Sequence, residues 1–271
     1  MTDRTISTPV KATSPSCAMK DIQSQPDHRR IDIRKVGVKN ISYPVTVLDK
    51  SQKFQDTVAT VNMYVNLPHH FKGTHMSRFI EILNQFRGNI SPKSFHLILE
   101  EMKEKLQAEA AHMEIEFPYF LKRKTPHANT VGLWKYACRM HGSLHEADDL
   151  ILEIEVPISP PLPAQTENGM PRSLGHWGIA RISLRFKHFF WIEDLIQLVE
   201  EVTSHNLSWS KDADISCDYS NLSVEQIAKA LGEKLASEPE ISWFSLQVEN
   251  LSEGYSTFAM LEWPEDADIN H

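Results

Sequence analysis

Apolar and polar positions along the chain switch between two periods, and each switch predicts an element. Val45 to Leu48 and Thr57 to Leu67 read as strands, the second rich in β-branched and aromatic residues. Met76, Phe79, Ile80, Leu83 and Phe86 then recur at helical spacing. A second helix is expected to open with Ser91 as N-cap and Pro92 in its first position, striped by Phe95, Ile98, Leu99, Met102 and Leu106. AHMEIEFPYF alternates like a strand, and GLWKYACRMHGSL reads as its partner.

The pattern then starts again. DLILEIEVPI reads as a strand, and HWGIARISLRF as another with Trp177, Ile179, Arg181, Ser183 and Arg185 on one face. Trp191, Leu195, Leu198, Val199 and Val202 predict a third helix. A fourth starts at Ser223, which has the capping-box spacing to Gln226, and buries Val224, Ile227, Leu231 and Leu235. ISWFSLQVEN and YSTFAMLEW close the series as strands. The order strand, strand, helix, helix, strand, strand occurs twice, with negligible identity between the halves. It predicts an α+β protein with two antiparallel sheets, each backed by a helix pair. A second subunit is expected to cover the other sheet face. Residues 1–20, rich in Ser, Thr and Pro, are expected to be a disordered tail. The modules are placed at 21–148 and 149–271, as one continuous two-module domain.

Composition narrows the function classes. A net charge of −8 over 271 residues argues against a nucleic-acid polymer as partner. The three cysteines, Cys17, Cys138 and Cys217, are too few and too scattered for a disulfide framework. No apolar run approaches the roughly 18 residues that would span a bilayer, and no apolar signal region opens the sequence. A reducing, cytoplasmic setting is expected, without a membrane.

The densest polar cluster is LPHHFKGTHMSRF, residues 67–79. Lys72, Thr74, His75, Ser77 and Arg78 gather where a strand hands over to a helix, and free helix amides there can receive phosphate. The alternative is a solvated corner with Thr74 as N-cap. The histidines suit a metal poorly, because adjacent His69 and His70 point to opposite sides of an extended backbone.

This corner, together with DIQSQPDHRRIDIRKVGVKNISYPV and TVATVNMYVNLPHHFKGTHMSRFIEIL, closely resembles the type IB GTP cyclohydrolases of the tunnelling-fold (T-fold) superfamily. The likeness is near-continuous from Asp21 to about Phe120 and continues, more weakly, to about Trp263, including FFWIEDLIQLVEE. It implies a tandem of β-β-α-α-β-β modules that assemble as homo-oligomers, with sheets closing into barrels and sites between subunits. It also implies a reaction: GTP to 7,8-dihydroneopterin triphosphate and formate, the entry to folate and pterin synthesis. A divalent metal (Zn, Mn or Fe) would activate water there.

Carried over residue by residue, the likeness is uneven. The family metal loop reads roughly VPVTxLCPCSK, and here VPISPPLPA places Leu162 and Ala164 at the cysteine positions. The family histidine falls on His176, and the glutamate of its KRPDE segment has only Asp212 or Asp214 of SKDAD as substitutes. Glu225 in SVEQ matches the glutamate that anchors the purine. The family ESIHxH becomes SEGYST, with Ser252 at the glutamate and Tyr255 and Thr257 at the histidines. Two readings stay open: a GTP cyclohydrolase, or an impaired or repurposed paralog. The paralog would bind a purine or pterin, or assemble with an active homologue.

Overall fold

The computed structural model describes residues 33–67, 75–86, 88–124, 131–158, 177–208, 223–251 and 254–264. Its elements run β1 (Ile33–Asp49), β2 (Lys53–Leu67), α1 (Met76–Gln85), β3 (Asn89–Ile90), α2 (Pro92–Leu106), β4 (Ala110–Lys124), β5 (Val131–Leu144), β6 (Asp148–Ile158), β7 (Gly178–Phe186), α3 (Ile192–Ser208), α4 (Val224–Ala236), β8 (Ile241–Leu251) and β9 (Ser256–Trp263).

The expected pair of sheets is one sheet. Nine strands lie in the order β3-β1-β2-β4-β5-β6-β7-β8-β9. The join is the tight β5–β6 hairpin, whose partners run from Leu144↔Asp148 to Ala137↔Glu155. Period-2 alternation assigns each residue to a face but does not say which strands pair across the middle.

The helices cover one face. Val61, Met63, Ile115, Ile154, Ile182 and Leu246 point into that layer and are fully buried. The α2 stripe is buried as expected, and Ser91 and Ser94 cap each other reciprocally at its start. In α1 the buried residues are Phe79, Ile82 and Leu83, while Met76 and Ile80 stay exposed at 40% and 38%. Helical spacing marks a face, but the sheet beneath covers only part of it. β1 is also much longer than the Val45 to Leu48 segment, because its polar stretch is interrupted by register shifts and by Asn40 at φ 58°.

A polar clasp ties the second half to the first. Glu193 at the start of α3 accepts from Tyr119 Oη on β4 (2.5 Å) and from the Lys50 amide (2.7 Å). Lys50 Nζ reaches Asp194 at 2.5 Å, and Glu200, about two turns further along the same face of α3 as Glu193, takes Arg123 and Tyr136 Oη. Burial and the facing carboxylates push both tyrosine hydroxyls up in pKa, so each remains a donor.

Candidate functional site

Strand polarity decides what can meet. At one end of the sheet lie Leu67, Ala110, Leu144, Asp148, Phe186, Ile241 and Trp263. At the other lie the β1–β2 turn, Ile158, Gly178, Leu251 and Ser256.

The β2–α1 corner belongs to the first end. The helix begins at Met76 with His75 as N-cap, not Thr74, and the His75 side chain makes no cap bond. Ser77 and Arg78 are exposed in the first turn. Arg78 Nη1 donates to Lys105 O at 3.2 Å, which fixes the side chain beside the last turn of α2. The Arg78 amide donates to the His75 carbonyl at 3.0 Å. Lys72 and Thr74 lie outside the described residues.

Of the other candidates, Glu225, Tyr255 and Thr257 are described, and they lie toward the opposite end. The Trp177 amide donates to Ile158 O at 2.8 Å. The Trp177 carbonyl accepts from Asn250 Nδ2 at 2.8 Å and from the Leu251 amide at 3.2 Å. The two ends of the 159–176 loop and the turn after β8 are thereby brought together. Helix α4 turns back through Ser237–Glu240 into β8 and packs along β8 and β9. It runs antiparallel to β8, so its N-terminus and Glu225 point to this same end. Leu162, Ala164, His176, Asp212, Asp214 and Ser252 lie outside the described residues. Tyr255 is 68% exposed beside Gly254, whose φ is +86°.

Glu225 is exposed in the first turn of α4. Ser223 Oγ accepts from the Gln226 amide at 3.2 Å and donates to Glu225 Oε2 at 2.5 Å. That bond, with the helix-start amide, holds the carboxyl below its ordinary pKa, so it is an anionic acceptor at neutral pH. Guanine N1–H and N2–H are the matching donors. Cys138 is no substitute for the missing thiolates: it is buried in β5, and burial pushes its thiol up.

The β2–α1 corner and Glu225 therefore lie apart within one chain. β2 and β8 stand five places apart in the sheet, and the corner and Glu225 lie at opposite strand ends. That is on the order of 25 Å across the sheet, with about 30 Å more along the strands. Motif reading supplied the residues but not this separation. Its sequence signal was there in the strand directions: one motif follows a strand that the other motif's strand antiparallels.

Solved structures place the architecture in a class. A urate oxidase from Bacillus sp. TB-90 overlays with a TM-score of 0.53 at 9% identity, covering 85% of this chain and 99% of that one. A uricase from Arthrobacter globiformis gives 0.50 at 9% identity, with coverages of 88% and 96%. The fold is the uricase-like T-fold. Within that class the sequence is more specific: the family described as Type I GTP cyclohydrolase folE2 matches residues 19–253, and the chain belongs to it. Proteins named GTP cyclohydrolase FolE2 are similar throughout. That of Syntrophobacter fumaroxidans is 44% identical over 254 residues, 90% of this chain and 99% of its own. That of Syntrophotalea carbinolica is 42% identical over 261 residues, 92% and 98%.

Proposed function

We propose that the chain acts on GTP as a type IB GTP cyclohydrolase, giving 7,8-dihydroneopterin triphosphate and formate in the cytoplasm. The carrying observation is family membership over most of its length, at 41–44% identity to proteins of that name. Lys72, Thr74, His75, Ser77 and Arg78 would receive the triphosphate, and Glu225 the purine edge. Because these groups lie at opposite ends of one sheet, the site is shared between copies of a homo-oligomer. Support comes from β9, which ends the strand order among the described residues and leaves Phe258 and Met260 exposed at 65% and 61%. The two-module division at 148/149 and barrel closure belong to the same reading.

The family is generally metal-dependent, and a bound Zn, Mn or Fe would supply an activated water. The donor set here does not reproduce the family's. Leu162 and Ala164 offer no donor atom where thiolates are expected, which leaves His176 with Asp212 or Asp214. Among the described residues, no group of three or more His, Cys, Asp or Glu could hold a metal. The roles derived for this chain's own residues are therefore binding and orientation.

That mismatch favours a second reading. The chain keeps the binding corner and Glu225, and completes sites in a mixed assembly with an active homologue. Two-ended geometry makes this feasible, since each chain lends its corner to a neighbour's loop. Purified protein with GTP and Mn²⁺ or Zn²⁺ separates the readings by pterin fluorescence and released formate. GTP binding without either product would sink the first and leave the second.

A further inference from the structure

Three acidic residues stand in the first turns of the described helices, and they differ in what holds them. Glu193 and Asp194 of α3 are taken up across the fold, by Tyr119 Oη and the Lys50 amide and by Lys50 Nζ. Glu225 of α4 has no such use: among the described residues no cation pairs with it, and Ser223 ties its carboxylate. That tie departs from the sequence expectation. The spacing of Ser223 and Gln226 predicts a capping box, in which the third helical residue bonds back to the cap. At α2 this arrangement forms between Ser91 and Ser94. At α4 the Gln226 amide donates to Ser223 Oγ at 3.2 Å, as a cap requires, but the hydroxyl hydrogen goes to Glu225 Oε2 at 2.5 Å.

We propose that Ser223 is a positioning residue for purine recognition, fixing the Glu225 carboxylate in one orientation before a guanine edge arrives. The inference rests on the purine-binding reading given above. Its physical basis is that one oxygen joins two bonds. The helix backbone places Ser223 Oγ, because the Gln226 amide sits where the first turn puts it and Ser223 holds the extended N-cap conformation (φ −79°, ψ 134°). A serine hydroxyl has one hydrogen to give, and Glu225 receives it. An exposed glutamate otherwise spreads over many rotamers and loses that freedom when it binds. Ser223 imposes the loss beforehand, which is preorganisation. A carboxylate offers about four acceptor sites, so the bond leaves room for guanine N1–H and N2–H.

The test uses the full chain, with GTP affinity by calorimetry and the denaturant midpoint measured alongside. Ser223→Gly removes the hydroxyl while glycine remains a tolerated N-cap, so the midpoint should move little. GTP affinity should fall about three- to tenfold, the cost of ordering one long side chain on binding. Ser223→Thr keeps a hydroxyl that can cap and donate, and should restore the affinity. In a Glu225→Ala background Ser223→Gly should cost no further affinity, since the group it positions is gone. Acidification gives a readout that capping alone would not move. The Ser223 bond is the largest influence lowering the Glu225 carboxyl, so affinity should fall at a higher pH in Ser223→Gly than in the unaltered chain. Equal GTP affinity in Ser223→Gly and the unaltered chain would overturn the proposal, as would a full further loss in the Glu225→Ala background. Should the unaltered chain bind no GTP, the purine reading fails instead. Acid titration of the Glu225 carboxyl by carbon NMR, assigned with Glu225→Gln, then decides the positioning role alone. An unmoved titration midpoint in Ser223→Gly overturns it.

Discussion

The two ends of the sheet differ in what the proposed function asks of them. Where β2 hands over to α1, the sequence carries Lys72, Thr74, His75, Ser77 and Arg78, the groups proposed to receive a triphosphate. At the opposite end, where β6 and β8 finish and β7 begins, Glu225 and Tyr255 lie, and on the proposed reading Leu162, Ala164, Ser252 and Tyr255 stand at the positions where metal and proton chemistry would be expected. The helix layers behind the two halves are equally well buried, with Ile98 and Leu99 on one side matched by Ile227 and Leu231 on the other. Folding therefore does not depend on the catalytic donors.

Placing donors at these positions should produce the largest effect. Leu162→Cys with Ala164→Cys, combined with Ser252→Glu and Tyr255→His, returns donors and acid–base groups together. General acid–base catalysis alone contributes about 10²- to 10⁴-fold, so pterin formation should rise by at least on the order of 10²-fold over the parent chain. Pterin fluorescence with Mn²⁺ measures it. No gain in a folded, GTP-binding variant would show that the substituted end differs by more than its side chains.

The same comparison can be sharpened by removing the groups that remain. Glu225→Gln at the C-terminal end should lower purine-nucleotide affinity roughly tenfold or more, because a charged acceptor facing two donors is lost. Affinity in the unaltered chain should also fall on acidification, once pH drops through the lowered pKa of Glu225, below the ordinary 4.5. Arg78→Ala at the opposite end should weaken GTP more than guanosine, since only GTP carries the triphosphate. Calorimetry with both ligands reads each end separately, and equal losses for the two ligands in Arg78→Ala would refute its assignment to phosphate.

Much of this organisation was legible in the sequence, and its gaps have physical causes. The α2 stripe was read in full because a long amphipathic helix lies flat on the sheet. The α1 face was misjudged around Ile82 because periodicity does not say how far the sheet extends beneath a helix. Glu193 and Glu200 look like a solvated stripe of α3, yet they accept from tyrosines of the other half. A carboxylate's partner across the fold leaves no local pattern. The motif comparison named the loops of the site, but only strand pairing showed that they lie at opposite ends.

That inter-half clasp supports a prediction on stability. Glu193→Ala takes from the buried Tyr119 hydroxyl its 2.5 Å acceptor and leaves it only the Leu48 carbonyl at 3.4 Å. Unsatisfied buried donors cost roughly 1–3 kcal/mol, so the midpoint of denaturant unfolding should fall accordingly. Glu116→Ala on the helix-free face, paired only at the surface, should shift it by less than about 1 kcal/mol.

The smallest effect concerns two histidines on the helix-free face of the N-terminal half. His112 stacks on Tyr64 with ring centroids 4.8 Å apart, and His141 lies opposite Glu114. Burial lowers both pKa values, reinforced by Lys35 and by each other's charge at His112 and by Lys35 and Arg139 at His141, while Glu114 acts in the opposite sense. With folded values below the unfolded value of about 6.5, the unfolded chain binds protons more readily. Stability should therefore decline as pH falls through 6.5 and level off below the folded pKa values. His141→Gln should flatten this slope in melting curves taken between about pH 7 and pH 5. Glu225→Gln, at the far end of the sheet, should leave it unchanged. A slope that survives in both His112→Gln and His141→Gln would move the titration elsewhere in the chain.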